Sequence, residues 1–207
     1  MKIDVYSDFV CPFCYIGKRL LEQAIETLGM EADVTFKSYE LDPLGKSDPN
    51  VSVYEELAKK YNKTVKEAKE MNDGITARAK EVGLTYRLDN AKKTNTLDAH
   101  RLHKFAQTKG LGEEMAERLL SAYFTESEFL GSKETLVRLA GDVGLDKAEV
   151  EAVLNDQDAF RKDVKDDQQD ARNLGVRGVP FFVLNGKYAI SGAQPLEVFV
   201  RALKQAN

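Results

Sequence analysis

The stretch YSDFVCPFCYIGK, residues 6–18, decides the fold of this 207-residue chain. It contains Cys11 and Cys14, the two cysteines of the sequence, in a C-x-x-C pair. A short strand pattern precedes the pair, and a helical pattern follows it directly. At a helix N-terminus, the unpaired N–H groups and the positive end of the dipole favour the thiolate of the outer cysteine. Spacing and position therefore predict a redox site in which the two thiols can close a small disulfide ring.

The residues on either side of the pair predict a β-α-β unit. Alternating apolar and polar residues indicate a strand at 2–6. Pro12 suits the first position of the helix, where its missing N–H needs no partner. Apolar residues then recur at helical spacing until Gly29, a residue type that commonly ends helices. Residues 34–41 predict the second strand.

A long helical region is predicted next. Residues 42–50 are rich in proline and polar residues and indicate a loop. Helical patterns then extend roughly over residues 51–174, and Ser52 and Thr64 each begin a capping box. The acidic run at 163–170 is typical of a solvated helix face. We expect this whole region to be helical.

The strand pattern returns after the helical region. Residues 181–184 form a short apolar run, as expected of a strand buried on both faces. Asn185-Gly186 is a strong signal for a two-residue hairpin, and residues 187–190 pair back. A helix at 194–204 completes a β-β-α unit. A C-x-x-C next to a β-α-β unit is typical of thioredoxin-like proteins.

Composition narrows the classes of partner. The net charge of −4 gives no electrostatic reason to expect nucleic acid or an anionic membrane as partner. No apolar run approaches the length of a membrane helix, and the N-terminus does not have the pattern of a signal peptide. These features predict a soluble, cytoplasmic protein. In a reducing compartment a cysteine pair is more often catalytic or metal-binding than structural.

The layout resembles the DsbA-like branch of the thioredoxin superfamily, and in particular its FrnE-type dithiol–disulfide oxidoreductases. The motif D-x-x-C-P-x-C-Y-I-G of that group is present from Asp8 to Gly17. The segment GVRGVPFFVLNGKYAISGAQP, residues 175–195, and NTLDAHRL, residues 95–102, resemble further segments of the group. The resemblance covers nearly the whole chain and is more specific than a C-x-x-C alone.

The resemblance implies an α/β fold of the thioredoxin-like type. A large all-helical insertion would separate its βαβ and ββα halves. Residues 1–42 and 175–207 would form the thioredoxin-like domain, and residues 43–174 would form the inserted helical domain.

The resemblance also implies roles for individual residues. Cys11 would be the attacking thiol and Cys14 the resolving thiol of a thiol–disulfide oxidoreductase. Pro180 would be a cis-proline facing the disulfide, preceded by Val179. The only redox group would be the Cys11–Cys14 disulfide itself, with no separate cofactor and no metal. Substrates would be protein or low-molecular-weight thiols and disulfides, and another thiol reductant or oxidant would recycle the enzyme.

Three further residues are candidates for substrate binding. Pro12 and Phe13 lie between the two cysteines, and His100 lies in the resembled segment of the insertion. Phe13 has neither a charge nor a donor to hold a thiolate, whereas strongly oxidising relatives often have histidine there. This difference predicts a weaker oxidant and favours a reductase or isomerase.

Two alternatives remain open from the sequence. His100 and His103 lie three residues apart on a predicted helix, and with Cys11 and Cys14 they are candidates for a Cys₂His₂ zinc scaffold. Kappa-type glutathione transferases and 2-hydroxychromene-2-carboxylate isomerases have a similar architecture and act on small molecules with glutathione. They typically have serine where this chain has Cys11.

Overall fold

The computed structural model describes residues 1–207 and contains six strands and nine α-helices. The strands are β1 (Lys2–Ser7), β2 (Asp33–Ser38), β3 (Asp48–Ser52), β4 (Lys92–Lys93), β5 (Phe181–Leu184) and β6 (Tyr188–Ser191). The helices are α1 (Pro12–Leu28), α2 (Val53–Tyr61), α3 (Val65–Glu81), α4 (Leu97–Thr108), α5 (Gly112–Phe124), α6 (Lys133–Asp142), α7 (Lys147–Asn155), α8 (Arg161–Asn173) and α9 (Leu196–Ala206). No helix has the length and apolarity needed to span a bilayer.

The two halves of the chain share one sheet in the order β2-β1-β5-β6. Strand β1 pairs in parallel with β2 and antiparallel with β5, and β5 pairs antiparallel with β6. Helix α1 packs against α9, whereas α5 and α8 pack against β2. This arrangement is the predicted thioredoxin-like α/β fold, and it places the loop after β1 at the end of a central strand.

Several local signals in the sequence are confirmed. Gly29 ends α1 in the left-handed region, with φ 58°. Ser52 and Thr64 both form complete capping boxes at the starts of α2 and α3. Asn185 and Gly186 have φ values of 49° and 67°, as a two-residue hairpin requires. Each of these signals acts within a few residues, so the sequence alone could predict it.

The insertion is largely helical, as predicted, but it is not all-helical. Strands β3 and β4 form a two-stranded antiparallel sheet in which Asp48 pairs with Lys93 and Ser52 pairs with Lys92. The partners are about forty residues apart, and β4 is only two residues long, which is too short to show an alternating pattern. The pairing depends on a contact between distant segments and left no local signal.

The hydrophobic core runs through both predicted domains. One cluster of 41 buried residues includes Ile3 and Phe182 from the sheet as well as Leu119 and Leu139 from the insertion. The predicted boundary between residues 43–174 and the rest of the chain is therefore a boundary in the sequence. The apolar core continues from one part to the other.

The prediction that the acidic run 163–170 is a solvated face is wrong at Asp167. This carboxylate is 4% exposed and accepts a hydrogen bond from the Ser38 N–H at 2.8 Å. Lys104 forms a direct ion pair with it, and Lys37 Nζ lies 3.4 Å from its Oδ1. Asp167 thus joins α8 to β2 and α4, because two cations and an amide from those elements compensate its buried charge.

Candidate active site

The two thiols lie at the start of α1. Cys11 is the N-cap residue, with an extended backbone at φ −88° and ψ 112°, and Pro12 is the first helical residue. Cys14 lies in the first turn of the helix. The side chain of Cys11 is 4% exposed and that of Cys14 is 1% exposed, and both are free cysteines. The outer thiol thus sits beside the unpaired N–H groups of the helix, whereas the inner one is enclosed.

Cys14 is held as a neutral thiol by its surroundings. Burial is the main cause that raises the pKa of Cys14, and the hydrogen bond and charge of Cys11 raise it further. The Ser7 hydroxyl and the Asp8 N–H act in the opposite direction, and that N–H lies 3.5 Å from Cys14 Sγ. Burial prevails because an enclosed thiolate loses its hydration.

The loop before β5 faces the outer cysteine. Cys11 Sγ donates to the Val179 carbonyl oxygen at 3.4 Å, and the Val179–Pro180 peptide bond is cis. Helix α1 approaches this loop closely at Gly17, where an added Cβ would lie 2.9 Å from Pro180 Cγ. Two of the three segments that carried the sequence resemblance, the motif from Asp8 to Gly17 and residues 175–195, therefore meet at the thiols.

The open surface beside Pro180 is concave. A pocket of about 480 Å³ lies here. It is lined by Gly175, Arg177, Gly178, Val179, Pro180, Phe181, Ser191 and Gly192. Arg177 is exposed and gives the pocket a positive charge. Val179, whose carbonyl oxygen contacts Cys11 Sγ, is one of these lining residues, so the pocket borders the loop that faces the outer cysteine.

The insertion covers the other side of the thiols through residues that sequence reasoning missed. Tyr86 donates to the Pro12 carbonyl oxygen at 2.6 Å, and burial is the main cause that raises the Tyr86 pKa. The guanidinium of Arg78 lies 5.7 Å from the ring centroid of Phe13 and donates to the Ala193 carbonyl. Neither Tyr86 nor Arg78 lies in a motif, so only the folded chain brings them to the site.

His100 does not line an open groove, contrary to the prediction. Its side chain is 1% exposed and packs against the ring of Phe9, with 4.7 Å between centroids. His100 Nε2 lies 3.4 Å from Asp8 Oδ1. Helix α4 packs behind the active loop, so this histidine contacts the loop from inside and has no face for a substrate.

The zinc alternative is also wrong, because its four residues do not converge. His103 Nε2 contacts the Gly112 carbonyl oxygen at 3.1 Å. Burial is the main cause that lowers the His103 pKa to about 3, and the charges of Lys104 and His100 add to it. No three side chains of histidine, cysteine, aspartate or glutamate lie together in an arrangement that could hold a metal ion.

A cluster of charges joins the active-site helix α1 to the insertion. Glu117 of α5 accepts from the Tyr15 hydroxyl at 2.6 Å, and its Oε2 lies 2.6 Å from Lys18 Nζ. Arg19 Nη2 donates to the same carboxylate at 2.5 Å. The Lys18 side chain is only 5% exposed. We call Tyr15, Lys18, Arg19 and Glu117 the α1–α5 clamp.

The fold and the paired thiols together define a class, the DsbA-like thiol–disulfide oxidoreductases. Residues 2–204 match the model of the DSBA-like thioredoxin domain family, and the chain belongs to this family. The match covers the sheet, the insertion and both segments that meet at the cysteines.

Similar proteins span the same length. YwbO of Bacillus subtilis (strain 168) is 30% identical over 207 residues, which cover 98% of this chain and 96% of YwbO. The crystal structure of the probable DsbA oxidoreductase SCO1869 from Streptomyces coelicolor has a TM-score of 0.93 at 37% identity, covering 100% of this chain and 89% of that one. The cytosolic disulfide reductase DsbM from Pseudomonas aeruginosa has a TM-score of 0.69 at 18% identity, covering 100% and 95%, and shows a shared fold.

Proposed function

We propose that this protein catalyses thiol–disulfide exchange through Cys11 and Cys14, with Cys11 attacking and Cys14 resolving. The observation that carries the proposal is the difference between the two thiols. Cys11 lies at the N-terminus of α1 and contacts Val179, a residue that lines the pocket, whereas Cys14 lies within the first turn and is kept protonated. A thiol at a helix N-terminus that attacks and a thiol kept neutral until it resolves are what a dithiol enzyme requires.

The proposed reaction in the reducing direction has two steps. The Cys11 thiolate attacks a substrate disulfide, forms a mixed disulfide and releases one substrate thiolate. Cys14 then loses its proton, attacks Cys11 Sγ and releases the second substrate thiolate, which leaves the Cys11–Cys14 disulfide. In the oxidising direction a substrate thiolate attacks Cys11 of that disulfide, and the steps run in reverse.

The proposed substrate site lies between Phe13 and the loop at Val179 and Pro180. Phe13 is apolar and half-buried, and the pocket beside Pro180 is bordered by Val179, whose carbonyl oxygen contacts Cys11 Sγ. Protein or low-molecular-weight thiols and disulfides fit this site, with a separate thiol reductant or oxidant for recycling. A cytoplasmic location agrees with the description of DsbM as a cytosolic disulfide reductase.

The side chain between the thiols supports a reducing or isomerising direction. Phe13 has no hydrogen-bond donor and no charge, so it does not stabilise the Cys11 thiolate. Because the thiolate belongs to the reduced form, Phe13 does not stabilise the reduced form either. We expect the reduction potential in a glutathione buffer to lie nearer about −270 mV, as in thioredoxin, than about −120 mV, as in DsbA. A value near the second figure would contradict the role given to Phe13.

Trapping experiments test the order of attack. The Cys14→Ala variant should accumulate a mixed disulfide with a model disulfide substrate, detected by mass spectrometry, because Cys11 attacks and nothing resolves. The Cys11→Ala variant should accumulate none, since burial raises the pKa of the remaining thiol and keeps it protonated. Loss of disulfide reduction in both variants supports the proposal. Turnover of glutathione conjugates by Cys14→Ala at the wild-type rate would instead favour the glutathione-dependent transferase or isomerase class.

A further inference from the structure

Tyr86 is a buried side chain of the insertion that reaches the turn between the two thiols. It follows α3, is 6% exposed, and its hydroxyl donates to the Pro12 carbonyl oxygen at 2.6 Å. Its ring stacks on Phe124, with 4.7 Å between centroids, and lies nearly parallel to Tyr15 at 6.2 Å. The next residue, Arg87, donates from its N–H to the Phe124 carbonyl oxygen at 2.6 Å. Stacking and the backbone bond together fix the position of the Tyr86 hydroxyl.

The N–H groups at the start of α1 are not equally available to the outer thiol. Cys11 is the N-cap residue, and an N-cap side chain accepts hydrogen bonds from the N–H of the second or third helical residue. The third is Cys14, whose N–H already donates to the Cys11 carbonyl oxygen at 3.0 Å. The second is Phe13, whose N–H has no backbone partner. The Phe13 N–H is therefore the free donor for a thiolate at Cys11.

The Tyr86 hydroxyl lies at the other end of the peptide unit that carries this donor. The Pro12 carbonyl and the Phe13 N–H belong to one planar amide. A carbonyl that accepts a hydrogen bond polarises its amide, so the N–H of that amide becomes a stronger donor. The bond from Tyr86 to the Pro12 carbonyl therefore strengthens the N–H that is available to the outer thiol.

The Tyr86 hydroxyl keeps its proton while the thiols change charge. Burial is the main cause that raises the Tyr86 pKa, and the charges of Cys11 and Cys14 raise it further. The Ile16 N–H acts in the opposite direction without reversing the shift. A thiolate at Cys11 therefore favours the neutral hydroxyl, which continues to donate to the Pro12 carbonyl.

The other ionisable groups around the outer thiol keep their charge near neutral pH. Cys14 stays neutral because burial raises its pKa, and burial is also the main cause that raises the Tyr15 pKa. Arg78 of α3 and Arg177 of the loop before β5 remain cations. Cys11 is therefore the group of this region that changes charge first as the pH rises from neutral.

We propose that Tyr86 is a positioning residue, supplied by the insertion, that activates Cys11 through the peptide between Pro12 and Phe13. This inference rests on the proposed function. When the Cys11 S–H bond breaks, the proton leaves to solvent and the electron pair stays on the sulfur. The polarised Phe13 N–H then donates to this thiolate, which attacks the substrate disulfide. Tyr86 forms no bond to the substrate and gives up no proton.

The pH profile of Cys11 alkylation tests the proposal, because iodoacetamide reacts with the thiolate and not with the thiol. Reduced wild type and Tyr86→Phe are alkylated from about pH 5 to about pH 9.5, and the modified peptide is quantified by mass spectrometry. The midpoint of the profile should rise by about 0.5 pH units in Tyr86→Phe, which is about threefold in rate below the midpoint. Above the midpoint the two rates should be equal, whereas altered packing alone would change the rate by one factor at every pH.

A fluorinated tyrosine tests the opposite direction. Replacement of Tyr86 by 3-fluorotyrosine keeps the ring in place and makes the hydroxyl more acidic, hence a stronger donor. The midpoint should then move to lower pH than in wild type. This variant retains the stacking on Phe124, so it tests the proposal even where Tyr86→Phe does not fold.

Tyr123→Phe is the matched control. Tyr123 is also buried and also packs on Phe124, but its hydroxyl donates at 3.4 Å to the Lys92 carbonyl oxygen, away from the thiols. Its alkylation midpoint should equal that of wild type, and the same shift as in Tyr86→Phe would overturn the inference.

Reduction of a model disulfide by the wild type separates the inference from the proposed function. If both Tyr86 variants keep the wild-type midpoint while the wild type reduces the disulfide, the inference is wrong and the proposed function stands. If Cys11 of the wild type is alkylated but forms no mixed disulfide with the substrate, the proposed function itself fails.

Discussion

Gly17 is the residue at which α1 passes closest to the loop before β5. A Cβ there would lie 2.9 Å from Pro180 Cγ and 3.0 Å from Phe182 Cζ, both in rigid groups. Gly17→Ala should therefore lower the free energy of unfolding by about 1–3 kcal/mol, measured by urea denaturation. It should also slow attack by Cys11, because the loop that contacts Cys11 must move.

Gly74 provides the control for this substitution. It lies inside α3, and an added Cβ would meet nothing within 4 Å. Gly74→Ala should raise stability by up to about 1 kcal/mol, because alanine loses less backbone entropy in a helix. Equal changes in the free energy of unfolding for the two substitutions would show that the contact with Pro180 does not cause the loss of stability in Gly17→Ala.

Phe13 is the residue that we expect to set the reduction potential. Phe13→His would place a donor between the thiols and stabilise the Cys11 thiolate, which favours the reduced form. The reduction potential should rise by about 30 mV or more, equivalent to a tenfold change in the equilibrium with glutathione. Phe13→Leu, which adds no donor, should leave the potential nearly unchanged, and an equal rise in both variants would exclude this explanation.

At the scale of elements, the α1–α5 clamp attaches the active-site helix to the insertion. Glu117→Ala would leave the ammonium of Lys18, whose side chain is 5% exposed, next to Glu22 alone. We expect a loss of about 2 kcal/mol in the free energy of unfolding, because a buried cation loses one of its two carboxylate partners. Glu70→Ala, which removes an exposed pair with Lys66, should cost less than about 1 kcal/mol. Similar losses of stability in the Glu117→Ala and Glu70→Ala variants would contradict the stabilising role given to the α1–α5 clamp.

The same carboxylate predicts a pH dependence of stability. Burial alone would raise the Glu117 pKa, but hydrogen bonds and charges from Lys18, Tyr15 and Arg19 outweigh it and lower the pKa. A lowered pKa in the folded state contributes stability above the unfolded value of about 4.3, and this contribution is lost as the pH falls through the folded value. Urea denaturation of wild type and Glu117→Gln should therefore differ most near neutral pH and converge in acid. A difference in the free energy of unfolding that stays constant with pH would contradict a lowered Glu117 pKa in the folded state.

At the scale of the whole molecule, the continuous core predicts one cooperative unfolding transition. The core cluster joins the sheet to the insertion, and the α1–α5 clamp and Asp167 connect the same parts through charges. Far-UV circular dichroism and tyrosine absorbance should give the same urea midpoint. Two separated midpoints would show that residues 43–174 unfold independently of the remainder.

The sequence predicted the features that depend on short stretches of chain. The C-x-x-C pair at a helix start, the end of α1 at Gly29, both capping boxes and the Asn185-Gly186 hairpin all follow from residue types within a few positions. The resemblance at both ends of the chain then predicted the thioredoxin-like fold and the position of Val179 next to Cys11. These features need only local backbone preferences or a motif.

Tertiary structure alone decided the surroundings of the thiols. The sequence could not show that His100 is enclosed against Asp8, that Asp167 is buried, or that Tyr86 reaches the Pro12 carbonyl. Each of these polar side chains is buried by segments that are distant in the sequence. Such a segment supplies a charge or a hydrogen-bond partner, or its packing encloses the side chain. Short sequence patterns carry propensities and spacings, whereas burial and charge compensation depend on which distant segments meet when the chain folds.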